Sequence, residues 1–336
     1  MHTLTPVREW HDVDAECFRA EVQPLNRPAI LRGLVAQWPA VRKAHESPQA
    51  LASYLLQFDA GHPIISLNAD ASIKGRFFYN EDMTGLNFTR RKEPFPEAMQ
   101  RLISLLAVEE PPATYIQSTP IPEYLPRFAQ EHPVPLLPSS VPGRIWIGNA
   151  ITVQTHFDLN ENIACVVAGR RRFTLFPPEQ IANLYVGPFD FTLSGPPVSM
   201  VSLHEPDFER YPRFREALAA AQVAELEPGD ALYIPYFWWH HVESLAPFNV
   251  LVNHWWNPAR PSFAAPFDAL LHSVLAIREL PENQREAWRA VFDYLVFQRS
   301  GEPLAHLAPQ QRGMLGPLTP ERAREMRAVL LKILSR

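Results

Sequence analysis

The sequence predicts a mainly β protein with flanking helices, and three observations carry that expectation. Between residues 113 and 256, short runs rich in β-branched and aromatic residues alternate with Gly, Pro, Asn and Asp, the pattern of an all-β sandwich or barrel. Helical spacing of apolar residues is concentrated towards the two ends of the chain. The 35 prolines among 336 residues are about twice the usual share of roughly 5%, and they are scattered as punctuation, not gathered into a tract. Apolar residues at 46% and charged residues at 20% have the balance of a soluble globular chain. The length suits one large domain or two ordinary ones.

Taken in order, "DVDAECFRAEVQ" and "SPQALASYLLQF" have helical periodicity, opened by Asp and by Ser as N-caps. "RPAILRGLVAQWPAV" between them holds a short apolar segment that could be a strand. "PIISLNA", "RFFYN" and "LNFTR" suit short strands or loops, and "FPEAMQRLISLLAV" an amphipathic helix. The β runs follow: "ATYIQS", "GRIWIGN", "NIACVVAG", "RRFTLFPP", "DALYIPYFWWHHVES" and "FNVLVNHWW". An insertion at 186–222 is Pro-rich and then helical. From 263 onwards "FDALLHSVLAI", "ENQREAWRAVFDYLVFQR" and "TPERAREMRAVLLKILSR" form a helical tail. The expected division is 1–262 as the β-centred domain and 263–336 as the tail.

Several classes fall away. A net charge of -5 offers no global footprint for nucleic acid, so such a partner is not expected. Two cysteines exclude a disulfide framework and suit a reducing compartment, with the cytoplasm as the expected location. No stretch approaches the roughly 18 apolar residues of a membrane span, and the first residues lack a signal-peptide pattern.

"VQTHFDLNENIACVVAG" carries the chemistry. Its right half is a buried strand. Its left half sets His156 and Asp158 two apart, and side chains at i and i+2 of a strand share a face. A metal needs a third ligand, which "PGDALYIPYFWWHHVESL" offers as His240 or His241; alternation lets only one face inward. Two His and one carboxylate on one side of a cation form the facial triad of non-haem Fe(II) oxygenases. Arg171 in "GRRRFTLFPP", on the returning strand, would supply a fork for a carboxylate co-substrate. An isolated His-x-Asp is more often chance than a metal site; the ordered combination inside a β-rich segment is what gives it weight.

These motifs, together with "PDFERYPRF" and "VNHWW", resemble the Jumonji-C, cupin-like Fe(II)- and 2-oxoglutarate-dependent oxygenases. Within that family they are similar to its asparaginyl-hydroxylase members. The resemblance runs from about residue 27 to Trp256 and implies a double-stranded β-helix, with His156, Asp158 and His240 as iron ligands. It places 2-oxoglutarate against Arg171, Tyr115, Gln117, Asn162 and Asn253, with Trp255 close by. Two positions depart from the family pattern: Arg171 stands where a lysine is expected, and Val153 where a threonine is expected.

The implied activity is hydroxylation of an unactivated C–H bond, with 2-oxoglutarate and dioxygen as partners and a protein or peptide side chain as substrate. A small molecule or an RNA base is the alternative substrate, and a non-catalytic cupin-fold module the alternative class. Without the resemblance, Asn162 and Asn253 would be turn or strand-edge amides, Tyr115 and Gln117 ordinary strand residues, and Trp238 and Trp239 core. Glu243 either orients a ligand or is exposed. In the tail, Trp288, Val291, Phe292, Leu295 and Val296 form an apolar stripe that must be covered, by the barrel or by a second copy; the family resemblance implies a homodimer.

Overall fold

The computed structural model describes residues 4–193, 195–257 and 265–335. It divides into two compact units, Met1–Pro258 and Ala259–Arg336. The expected boundary at 262/263 lies outside the described residues.

Fourteen strands build the first unit: β1 (Thr5–Pro6), β2 (Arg8–His11), β3 (Ala29–Arg32), β4 (Ile64–Ala69), β5 (Thr89–Glu93), β6 (Ala113–Pro120), β7 (Gly143–Gly148), β8 (Thr152–His156), β9 (Glu161–Ala168), β10 (Arg171–Phe176), β11 (Gln222–Leu226), β12 (Ala231–Ile234), β13 (Trp239–Ser244) and β14 (Asn249–Trp256). They form a five-stranded sheet ordered β1-β11-β10-β13-β8 and a nine-stranded sheet ordered β2-β3-β12-β9-β14-β7-β6-β4-β5. The result is a jelly-roll core flanked by helices.

The unbroken apolar run in β9 follows from its central place in the large sheet, where every residue is buried. Ala164 and Val166 face the space between the sheets with Phe173, Leu175, Leu232 and Leu251. Ile163, Cys165 and Val167 face the other way, into a core with Phe18, Leu51 and Leu55 from the N-terminal helical segments. A strand covered on both faces cannot alternate in polarity. Each large aliphatic side chain so buried contributes roughly 1.5–3 kcal/mol.

The preamble is helical where its caps predict. The Asp14 carboxylate accepts from the N–H groups of Glu16 and Cys17, and the Ser47 hydroxyl accepts from Ala50 N at the start of the helix Pro48–Leu56. The first segment is short and irregular, passing from Ala15–Cys17 into a π-turn at Phe18–Val22. Sequence periodicity missed β1, β2 and β11. The first two have mostly exposed residues, so they carry no apolar alternation; backbone pairing with β11 and β3 makes them strands.

The single run expected over "DALYIPYFWWHHVES" is two strands in different sheets. Pro235 closes β12, and Phe237 has a φ of +67°, its N–H donating to Asp158 O at 3.1 Å. The turn carries the chain from one wall of the roll to the other. At the β9–β10 turn Gly169 has φ +73°, and a Cβ there would sit 2.1 Å from Asn249 Oδ1. Only glycine fits, and this turn sends Arg171 back into the roll.

The insertion packs the helix Phe214–Ala220 over the outer face of the small sheet, against Phe176 and Trp239. The second unit contains the helices Pro266–Ile277, Glu282–Leu295 and Pro320–Leu334. Its own helices leave Trp288, Val291 and Val296 exposed, so the expected cover for that stripe does not come from within the tail. Among the described residues no helix is long and apolar enough to cross a membrane.

Candidate metal centre and co-substrate chamber

His156 ends β8 and lies opposite His240 on β13. Between them the register slips: Val242 pairs with Val153, so Gln154 and Thr155 together oppose His241. This β-bulge leaves Val153 and His156 facing inward and frees the Gln154 carbonyl to accept from His156 Nδ1 at 2.8 Å. His240 Nδ1 is tied in the same way to Trp238 O at 3.0 Å. Both rings thus carry their protons on Nδ1 and present Nε2 lone pairs, the tautomer a metal requires.

Asp158 is not in the strand. It sits just beyond the end of β8, where Trp255 Nε1 donates to Oδ2 at 3.1 Å. The face-sharing expected from i, i+2 spacing still holds, because Phe157 between the two is buried in the cluster on the opposite side. Asp158 Oδ2 lies 3.6 Å from His240 Nε2, and the His156 and His240 rings are 4.2 Å apart. Donor atoms of His156, Asp158 and His240 all fall within 4.8 Å of one another. Burial, then the neighbouring His156, push His240 down to about 4, only partly offset by Asp158. At neutral pH that imidazole is uncharged and available to a cation.

A chamber of about 430 Å³, its open mouth included, adjoins the three donors and is lined by Tyr115, Asn162, Arg171, Asn253 and Trp255. Arg171 is 1% exposed, and its Nε and Nη2 have no hydrogen-bond partner. Burial lowers its pKa, opposed by the Tyr115 hydroxyl beside it. Burial also pushes Tyr115 up to about 12, so the phenol stays protonated and can donate. A buried guanidinium with idle N–H groups is costly unless an anion completes it. Arg170 and Arg172 are more exposed, as alternation predicts.

Asn253 bridges the far wall: Trp146 Nε1 donates to its Oδ1 at 2.6 Å, and its Nδ2 donates to Asn162 Oδ1 at 3.3 Å. Trp146 and the Gln154 bulge were not singled out from the sequence. Alternation in "GRIWIGN" would have put Trp146 on the inner face; nothing local marks the bulge. Gln117 lies elsewhere, in a second cavity with Phe77, Phe88 and Leu193, which shares Tyr115, Val153 and His156 with the first. Val153 lines both, so no hydroxyl stands where the threonine was expected. Glu243 is buried on the outer face of β13, 3.9 Å from Arg172 Nη1 and 3.5 Å from His204 Nε2, and orients neither inner histidine.

Residues 14–261 match the model of the cupin-like domain family. Among curated proteins the chain is similar to human HSPB1-associated protein 1, at 35% identity over 43% of this chain and 30% of that protein. It is similar to the zebrafish (Danio rerio) tRNA wybutosine-synthesizing protein 5, at 28% identity over 73% of each chain. It is also similar to Jumonji C domain-containing protein 5 of Drosophila melanogaster, at 28% identity over 73% of this chain and 57% of that one. The chain thus spans under a third of the human relative's length. With the jelly-roll core and the match across most of its length, the chain belongs to the Jumonji-C, cupin-like oxygenase family.

Proposed function

We propose that the chain is an Fe(II)- and 2-oxoglutarate-dependent hydroxylase acting on a protein or peptide side chain. One observation carries the proposal: the buried Arg171 guanidinium, whose Nε and Nη2 have no partner, opens into the same chamber as His156, Asp158 and His240. A metal held by the three donors would take a keto-acid at one end and the buried Arg171 cation a carboxylate at the other, which suits a short dicarboxylate. The three donors fit Fe(II): two neutral imidazoles and one carboxylate, drawn from one side. When bound, the metal supplies activation of dioxygen for the balanced reaction in which 2-oxoglutarate, O₂ and R–H give succinate, CO₂ and R–OH.

The protein's own residues do the rest. The Nδ1 tethers hold both rings in one tautomer, Trp255 holds the Asp158 carboxylate, and Arg171 with Tyr115 anchors the distal carboxylate. Asn162 and Asn253 line the wall between. Gln117, in the adjoining cavity, would meet the substrate more readily than the co-substrate. A protein substrate is favoured over RNA by the net charge of -5. The relative named for tRNA wybutosine synthesis makes RNA the substrate to test against. A homodimer through residues 263–336 belongs to the same proposal, supported by exposed Leu271, Leu275 and Phe297 in that unit. So does a reducing, cytoplasmic setting, since Cys17 and Cys165 are unpaired.

The test is anaerobically purified protein given Fe(II), 2-oxoglutarate and oxygen. Succinate should form and disappear in His156→Ala, and peptide and tRNA pools should be searched for products heavier by one oxygen atom. Tight metal retention with no succinate, alone or with either pool, would favour a non-catalytic binding module, the reading that the Arg171 and Val153 departures support.

A further inference from the structure

We infer that His204, His241 and Glu243 form a second divalent-cation site on the outer face of the small sheet. Alternation along β13 turns His241 and Glu243 away from the inner triad and onto one face. His204 comes from the insertion. That loop is anchored just upstream, where Gln154 Nε2 donates to Ser199 O at 2.7 Å and Val201 O at 2.8 Å. The donor atoms of the three side chains lie within 4.8 Å of one another.

The second observation is His241 itself. It is 1% exposed, and its Nε2 has no hydrogen-bond partner. Its Nδ1 lies 3.3 Å from the Thr155 hydroxyl, the kind of outer contact that fixes a ligating ring and leaves the other nitrogen for a metal. A buried imidazole nitrogen with nothing to bond is costly, and a cation between it, His204 and Glu243 would satisfy it. The side chain of His204 is 53% exposed, which leaves an entry path and a position for water.

Two arginines oppose the cation. Arg172 is 3.9 Å from Glu243, but its closer partner is Glu225 at 2.8 Å. Arg76 acts on His241 and is itself balanced by Glu205. Nitrogen ligands in the majority select Zn(II) over Mg(II) or Ca(II), which demand oxygen. Three protein ligands and water are a common zinc set. The ion would pin the insertion to the strand that carries His240.

Zn(II) counted per chain after equilibrium dialysis tests this. Wild-type protein should hold two ions, and His204→Ala, at an exposed position, should hold one. Glu243→Gln should do the same, with far-ultraviolet circular dichroism showing the fold kept. His156→Ala should lose the other ion, and the double variant both. Because the readout is the difference between His204→Ala and wild type, failure of the inner site would leave it intact. If both outer variants bind as many ions as wild type, the site does not exist.

Discussion

His240 and His241 are neighbours in sequence, yet they stand in different chemical settings. His240 faces a chamber with a carboxylate, a second imidazole and a buried guanidinium; His241 faces outward beneath the insertion, near Glu243 and His204. Pleating separates the two rings, and the bulge opposite His241 keeps Val153 and His156 both on the inner side. Ligand sets on a strand are therefore chosen by face before they are chosen by residue type.

The largest effect should come from exchanging the two faces by mutation. His240→Ala should abolish succinate formation, while His204→Ala, on the outer face, should leave turnover within about threefold, the scale of a change well under 1.4 kcal/mol. Equal losses would erase the distinction between the faces.

Arg171→Ala should raise the 2-oxoglutarate concentration needed for half-maximal turnover by about 10²-fold or more, since charge-assisted hydrogen bonds are worth about 1.5–3 kcal/mol each. Fe(II) affinity should barely change, and Arg171→Lys should recover part of the loss. Parallel losses of metal and co-substrate in steady-state and metal-binding assays would remove Arg171 as the anion anchor.

Trp255→Phe keeps an aromatic ring, though a smaller one, and deletes the N–H that holds Asp158. Metal affinity should fall by about 10-fold, the lower end for loss of an outer contact, measured by competition with a chelator. An unchanged affinity would mean the carboxylate needs no such support.

The smallest effect tests a histidine remote from both faces. His132 Nε2 accepts from Ala40 N at 3.1 Å, and burial lowers its pKa below the ordinary value of 6.5. As pH falls below 6.5 the unfolded chain protonates first. Its contribution to stability is therefore complete above 6.5 and declines as pH drops towards the lowered folded value. Denaturation midpoints at pH 7.5 and 5.5 should differ less in His132→Phe than in wild type. The variant should also be less stable at pH 7.5 by about 1–3 kcal/mol, because Ala40 N–H loses its acceptor.

Much of this was legible in the sequence, for identifiable reasons. The apolar run of β9 follows from cover on both faces, and the inward Arg171 between two outward arginines and the sharing of one side by His156 and Asp158 follow from alternation. What was hidden depends on pairing between distant segments. The bulge at Gln154 exists only because β13 lies alongside, the break at Pro235–Trp238 only because the chain changes sheets, and the outer cluster only because the insertion returns His204 to β13. That Gln117 lines the adjoining cavity was hidden for a similar reason. The register of β6 on β7 shifts between Ile116 and Thr119, with Ser118 at φ +48°, so spacing from Tyr115 does not carry over to its neighbour.

The central claim is that His156, Asp158 and His240 converge on a single iron, with room beside it for a keto-acid. The most direct measurement is the visible charge-transfer absorption of Fe(II) with 2-oxoglutarate under anaerobic conditions. Wild type and His204→Ala should show the band, and Asp158→Ala and His240→Ala should lack it. A band that persists at full strength in His240→Ala, or that wild type never develops, would contradict the account.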